Sequence, residues 1–293
     1  MDIWHRVGRV VRIQNLGTLI FFCLNLGLLI LILFPYSASP DGLLLLITIY
    51  VASVLISLSP IGEWVLSVLA GAKDIKRKDI KIRLIPLLEI VFGQAKKITP
   101  SMIDSINLKI IQDPSPNAYA IGRKTICVTD SLLELSDNEI MAVFAHEVGH
   151  LAYHHSAIQL LIGGGNILIA GFFLILKAIS WMITGLFALV GLSTRSIGRT
   201  ILFGLIGGIS TFLIWLWTKF CMLFLMWSMR QNEYLADEYA YKLGYGNILA
   251  YLLDQKLSPT PQNGLLKALY AKHPSNDDRI ARLQELGATY SRW

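Results

Sequence analysis

The feature that most constrains this chain is the run from Leu16 to Phe34, which carries no charged side chain. A helix of that length at 1.5 Å per residue reaches about 29 Å, close to the thickness of a bilayer's hydrocarbon core. Three more apolar stretches follow: Leu43 to Leu58, Ala157 to Leu192, and Ile201 to about Met229. The third would be ~54 Å long as a single helix. It is longer than the core is thick, and Gly163-Gly164-Gly165 is where it could break. Four transmembrane helices are therefore expected. Composition agrees, with 54% hydrophobic and 16% charged residues against about 25% charged in soluble domains. That excludes a disordered chain, a small disulfide scaffold and an ordinary cytosolic enzyme. Yet 26 Lys+Arg and 20 Asp+Glu are too many for a bare bundle, so part of the chain stands in water.

Charge orients the spans. Arg6, Arg9 and Arg12 precede the first, and Lys73, Lys76, Arg77, Lys78, Lys81 and Arg83 follow the second. The loop between them holds Asp41 and no basic residue. This is the positive-inside pattern of a hairpin with both ends in the cytoplasm. Ser37-Ala38-Ser39 has a small-x-small form, but Pro40 follows directly and the apolar run is long, so a retained span is preferred to a cleaved signal peptide. The net charge of +6 is assigned to this orientation signal and to anionic lipid. No nucleic-acid partner is expected, because no basic groove with interleaved aromatics occurs. Cys23, Cys127 and Cys221 lie far apart and offer neither a disulfide framework nor a CxxC metal site.

The expected division is a transmembrane hairpin (1–62), a first water-facing segment (63–156), a second hairpin (157–229) and a second water-facing segment (230–293). Within the first segment, Pro86 to Lys97 has helical spacing and Asn107 to Gln112 reads as a strand. Ala118–Ile121 and Thr125–Val128, joined by Gly122-Arg123-Lys124, read as a β-hairpin. Ser136-Asp137-Asn138-Glu139 is a capping box that opens a helix running past His150. Ser193 to Thr200 and Ser258 to Gly264 read as loops.

That helix carries the chemistry. His146-Glu147-Val148-Gly149-His150 is an HExxH motif. Positions i and i+4 share one helix face, so both imidazoles can reach one ion. Neutral imidazole suits Zn²⁺, and Glu147 beside the first ligand can act as general base on a water activated by the ion. A third ligand is needed. His154 would lie ~12 Å along the axis from His146, too far for one tetrahedral ion, and reads as an interfacial histidine. Tyr153 and Ser156 occupy the places where a metzincin needs glycine and histidine. A downstream carboxylate remains. In Asn232-Glu233-Tyr234-Leu235-Ala236-Asp237, Glu233 can ligate the metal while Asp237 accepts the outer N–H of a ligand histidine. An even number of spans separates the two motifs, so both reach the same side of the membrane.

HExxH with a downstream NExxAD, two spans before and two between, resembles the HtpX-type membrane proteases, which share the gluzincin group with the CAAX prenyl endopeptidases. Pro116-Asn117-Ala118-Tyr119-Ala120 resembles their NA(F/Y)A edge strand, which implies substrate binding by Asn117, Ala118, Tyr119 and Ala120, since an extended peptide can add to a free edge. His273-Pro274-Ser275 followed by Arg279-Ile280 resembles their C-terminal HP(P/S)xxxRI signature. The resemblance implies that His273 and Arg279 lie near the site; the local alternative is a helix N-cap at Ser275 and an exposed arginine. Departures are Tyr153-His154-His155-Ser156, where these proteins often carry NGD, and Ser275 in place of a second proline. The resemblance implies a mainly α-helical membrane protein with a small sheet, a zincin-like α+β catalytic part facing the cytoplasm, and one Zn²⁺ per chain. It also implies a multi-pass place in a bacterial-type inner membrane. The implied activity is endopeptidase cleavage in quality control of damaged membrane proteins. The rivals are a processing protease for a lipid-modified substrate and a non-catalytic membrane metal-binding protein. A transporter fits poorly, because ionisable residues within the spans are nearly confined to Lys177 and Lys219.

Overall fold

A computed structural model describes residues 15–32, 39–158 and 160, scattered positions between 171 and 189, then 197–257 and 273–291. The N-terminal basic segment, most of the third apolar stretch and the 258–264 loop lie outside these residues.

Helix α1 (Leu16–Ile32) and helix α2 (Pro40–Ser57) are mainly apolar, with Asp41 in the first turn of α2. A two-residue break then leads into α3 (Pro60–Leu69), where Ser59 caps the helix by accepting from the Ile61 N–H. The water-facing part begins with β1 (Lys73–Asp74) and the long helix α4 (Lys78–Ile98). Strands β2 (Asn107–Ile111), β3 (Ala118–Ile121) and β4 (Thr125–Thr129) follow, with a 3-10 turn at Asp130–Glu134. Helix α5 (Asp137–Ala152) carries HExxH. Then come α6 (Ile197–Lys242), α7 (Gly246–Gln255) and α8 (Asn276–Glu285).

The sheet order is β1-β2-β4-β3, with β2 parallel to β4 and β3 antiparallel to β4. β3 is thus the edge strand that the resemblance implies, in the register Ala118↔Val128 and Ala120↔Ile126. The core lies between α4, the sheet and α5. Leu84, Leu88 and Val91 of α4 meet Ile126 and Val128 of β4 and Ile140, Phe144 and Val148 of α5, all buried. Leu249 and Leu252 of α7 and Leu283 of α8 close the other side. Helix α5 is buried from Glu139 through Ala152 apart from Met141, which packs against the core. A helix with polar residues on every side can be buried this way only if each polar group finds a partner.

Its start is well tied. The capping box at Ser136 and Glu139 is present, with the Ser136 N–H donating to Glu139 Oε2 at 2.8 Å. Lys256 reaches the same carboxylate at 2.8 Å. Arg83, an orientation charge in the sequence, also donates to the Leu133 and Leu135 carbonyls and pairs with Asp137. Burial raises the Glu139 carboxyl, but the bonds from Lys256 and Ser136 outweigh it and hold it below the ordinary glutamate value. Because the folded value is lowered, the contribution is present above the unfolded pKa and is lost as pH falls through the folded one. Glu139→Gln should cost about 1 kcal/mol, typical of a cap. Thermal unfolding in detergent should show a loss of about 2–4 °C at pH 7, shrinking as the pH drops below 4. An unchanged difference down to low pH would show that the charge contributes nothing.

Helix α6 is one continuous element of 46 residues, ~69 Å long at 1.5 Å per residue. Its N-terminal part is apolar and its C-terminal part carries Glu233 and Asp237. Ile197–Thr200, expected as loop, already belong to it, because nothing after Ser196 breaks the apolar run into the helix. Two described helices are long and apolar enough to cross a membrane: Pro40–Ser57 and Thr211–Lys242. Only 12% and 24% of their apolar windows are buried, whereas a soluble core helix would be mostly covered. Leu44, Leu45, Leu55 and Ile56 of α2 and Phe212, Leu213 and Trp215 of α6 point outward, an apolar display that water does not tolerate at this extent. Helix α1 packs on α6 through Phe21, Cys221, Leu225 and Met226. Gly17 lies against the Phe224 backbone, and the Thr18 N–H donates to Ser228 Oγ. Small residues and a polar contact at the seam are the usual means of joining helices in lipid.

Two elements are absent from the sequence reading. Strand β1 is only two residues long and has no periodicity to read. Helix α3 crosses the expected boundary at residue 62 between the hairpin and the water-facing segment, and the sequence reading gives it no element of its own. Its separate start is set by Ser59 and Pro60, a cap followed by proline at the first helical position.

Candidate metal centre

Helices α5 and α6 cross at a glycine. A Cβ on Gly149 would lie 3.0 Å from Ala236 Cα, so the two backbones approach closely there. Gly149 sits between the two histidines of HExxH, and Ala236 sits between Glu233 and Asp237. The small pair brings both motifs to one point. A glycine inside a helix carries no signal of its own in the sequence, since only the crossing of Ala236 gives Gly149 its role.

The convergence is tight. His146 Nε2 and His150 Nε2 are 3.2 Å apart. Glu233 Oε2 is 3.6 Å from His146 Nε2, and Glu233 Oε1 is 3.4 Å from His150 Nε2. Ligand atoms about 2.05 Å from one ion at tetrahedral angles lie about 3.3 Å from one another. The three side chains therefore stand close to the edges of a metal tetrahedron, all three are buried, and their ligand atoms fit one ion. Among the described residues this is the one cluster of its kind.

The outer nitrogens are held too. His146 Nδ1 lies 2.9 Å from Asp237 Oδ1, the second layer expected of a ligand histidine. Arg279 forks onto Asp237, with Nε to Oδ2 at 2.8 Å and Nη2 to Oδ1 at 2.6 Å, and its Nη1 stands 3.6 Å from Glu233. Arg279 is 7% exposed, so the exposed-arginine alternative fails. The N-cap alternative holds beside it, since Ser275 Oγ accepts from the Asp278 N–H and starts the helix that presents Arg279. His273 Nδ1 is 3.0 Å from Glu233 Oε2, and its side chain is half exposed.

Glu147 is buried, and Oε2 accepts from the Ala120 N–H of β3 at 2.7 Å. The catalytic candidate and the edge strand are thus directly joined. Burial raises the Glu147 carboxyl above the ordinary value, opposed by His150 and His146. For His146, burial would lower the imidazole, but its hydrogen bonds to Asp237 and Glu233 outweigh this and raise it to about 10. The His146 shift reflects the two carboxylates that flank its ring, whereas the Glu147 shift reflects burial. Burial lowers the Arg279 guanidinium, but Asp237 outweighs it, so this cation stays charged.

Asn117, Ala118, Tyr119 and Ala120 all line the cavity of ≈ 380 Å³ in front of the ligands. Leu249, Leu253 and Leu257 form its apolar side. The Ala118 N–H bonds to Asn117 Oδ1 at 2.8 Å, and Asn117 Nδ2 donates to the Tyr119 hydroxyl.

His154 corrects one expectation. Helix α5 ends at Ala152 and His154 has φ +61°, so it does not extend the helix by another turn. The left-handed residue turns the chain back and brings His155, 3% exposed, to 3.1 Å from His150 Nδ1. Burial and His150 push the His155 imidazole well below its ordinary value. It is a neutral partner for the outer nitrogen of His150, where the partner of His146 is the carboxylate of Asp237. Sequence reading missed it, because the spacing i+5 makes no sense on a continuous helix. Ser156 was also missed: its hydroxyl is buried, lines the cavity and has no hydrogen-bond partner among the described residues.

Two histidines on one helix, a glutamate from a second helix and a carboxylate behind the first histidine define the gluzincin class of metal centre. The chain belongs to peptidase family M48, whose profile matches residues 89–287. It is 30% identical over 207 residues to "Protease HtpX homolog" of Tropheryma whipplei, covering 61% of this chain and 65% of that one. The match thus spans just under two thirds of that relative. A second relative of that name, from Desulfotalea psychrophila, is 28% identical over 292 residues, covering 92% and 98%. Among solved structures, S. mikatae Ste24p aligns with a TM-score of 0.49 and 18% identity, over 88% of this chain and 62% of that one.

Proposed function

We propose that this chain is a membrane-integrated zinc endopeptidase whose site faces the cytoplasm and which cleaves damaged membrane proteins. The observation that carries this is the meeting of His146, His150 and Glu233 at tetrahedral spacing beside the buried Glu147. Two imidazoles and one carboxylate with room for a fourth group suit catalytic zinc, one ion per chain. Zinc held there polarises a carbonyl and lowers the pKa of water toward 7.

The chain's own residues do the rest. An extended substrate adds along β3, displacing the Asn117 cap from the Ala118 N–H. Glu147, with its raised carboxyl, takes the proton of the attacking water and returns it to the leaving amine. His273, on the open side of Glu233, donates to the developing oxyanion. Arg279 and Asp237 position His146, and His155 positions His150. The apolar wall of Leu249, Leu253 and Leu257 takes a hydrophobic side chain of the substrate.

The layout proposed is a transmembrane hairpin at 1–62, a split catalytic part at 63–156 and 230–293, and a second hairpin at 157–229, four spans in all. It is supported by basic residues on one side of the first pair and by the continuity of α6 from apolar stretch to Glu233. The test is cleavage in proteoliposomes of an unfolded membrane protein, alongside a prenylated peptide. Cleavage of the unfolded protein should disappear with a chelator and return with Zn²⁺. Cleavage of the prenylated peptide alone would replace the quality-control assignment by a processing role. Cleavage indifferent to chelator would refute the metal mechanism.

A further inference from the structure

Helix α3 is amphipathic in the reverse of the usual sense. Ile61, Trp64, Val65, Val68 and Leu69 are exposed, at 63%, 63%, 36%, 56% and 78%. Their spacing i, i+3, i+4, i+7, i+8 places them on one face. The face turned to the protein carries Glu63 and the buried Ser67. A soluble helix buries its apolar stripe; this one presents it outward.

Two observations identify what covers the stripe. Helix α3 begins two residues after α2, which has the length and composition of a span, and Gly62 packs against the Ser57 backbone at the turn. The chain is therefore at the membrane surface where α3 starts. Just beyond α3, residues 73–81 hold five basic side chains against two acidic ones, with Lys73, Lys76 and Lys78 exposed. Tryptophan in an apolar stripe beside lysines is the composition of a helix lying in the interface of an anionic bilayer.

The inward face holds the site. Glu63 Oε1 accepts from the Thr125 hydroxyl at 2.6 Å, and Oε2 accepts from the Arg123 N–H at 3.1 Å. Gly122, at φ +66°, leaves room for the Glu63 side chain, where a Cβ would stand 2.5 Å from its Cδ. Glu63 thus clamps the turn joining β3 and β4. β3 is then held at its turn by α3 and at Ala120 by Glu147.

We propose that α3 lies in the membrane interface with its apolar stripe in anionic lipid, and that Glu63 fixes the β3 edge at a set height above the bilayer. An extended segment just emerging from the membrane is then the polypeptide that reaches this edge; this last clause rests on the reading of β3 as the substrate strand. Glu63 is a positioning residue and touches no ligand of the metal.

The test uses the full chain in nanodiscs of phosphatidylcholine and phosphatidylglycerol, with Cys23, Cys127 and Cys221 replaced by Ala. A bimane label at Trp64→Cys or Val68→Cys should be quenched by lipid-borne nitroxide and shielded from iodide. A label at Lys76→Cys should show the opposite. Iodide quenching of the first two equal to Lys76→Cys overturns the proposal, and so does protection accompanied by Val68→Cys crosslinking between copies. For the clamp, Glu63→Ala should speed amide exchange at Arg123–Thr125 about tenfold or more, the loss of two hydrogen bonds. Glu63→Gln should restore part of the protection. Unchanged exchange in Glu63→Ala refutes the clamp. Neither readout involves cleavage, so both are separable from the failure of the protease reading.

Discussion

Glu147→Gln should abolish cleavage and leave the metal in place. The amide keeps the size of the carboxylate and can still accept from the Ala120 N–H, so the bond of 2.7 Å that joins α5 to β3 survives. What is lost is the group that takes and returns a proton. Positioned general acid–base catalysis contributes about 10²–10⁴-fold per role, and Glu147 is assigned both roles, so a drop of at least about 10³-fold is expected. Metal analysis of the purified protein should give the same content as the wild type, because Glu147 contributes no ligand. Residual cleavage near the wild-type rate would move the base elsewhere. Lost metal would make Glu147 a structural partner of the histidines and not a catalyst.

Glu233→Ala should do the reverse and lower metal affinity itself. Its carboxylate supplies the third corner of the cluster, 3.4–3.6 Å from both imidazole Nε2 atoms. Loss of an outer partner costs 10–100-fold in affinity, and loss of a direct ligand should exceed about 100-fold. The variant also removes one partner of His273 and one neighbour of Arg279. Asp237 still holds Arg279 in its fork, so the fold should persist. Competition with a chelator of known affinity reads the effect directly. Wild-type affinity would remove Glu233 from the ligand set and leave Asp237 as the carboxylate to test next.

Much of this site was legible in the residues. HExxH on a capped helix names two ligands and a base, because an i, i+4 pair on a helix shares a face whatever the rest of the chain does. The hairpin of β3 and β4 was legible through its glycine turn, and its place at the sheet edge only through resemblance. His273 and Arg279 were legible only through resemblance; their own neighbours in sequence pointed as readily to a cap and a surface charge. His155, Ser156, Gly149 and helix α3 were not legible. Each acts through a partner distant in sequence or through a broken period. His155 requires a left-handed turn at His154, and Gly149 matters only because Ala236 crosses it. The apolar stripe of α3 spans the boundary expected at residue 62, and over ten residues its outward direction is set only by what Glu63 and Ser67 meet on the other face.

By itself the sequence determined which stretches are apolar and which chemistry is available. Apolar length dictates burial in lipid, and His146, Glu147, His150 and Glu233 are residue types that bind a metal and move protons. Tertiary structure alone decided which of the polar groups meet. Glu233 lies 83 residues beyond His150, and nothing local says how α5 and α6 cross. Their contact is set by close packing at Gly149 and Ala236, and a metal cluster exists only when that packing brings three ligand atoms within 4.8 Å of one another.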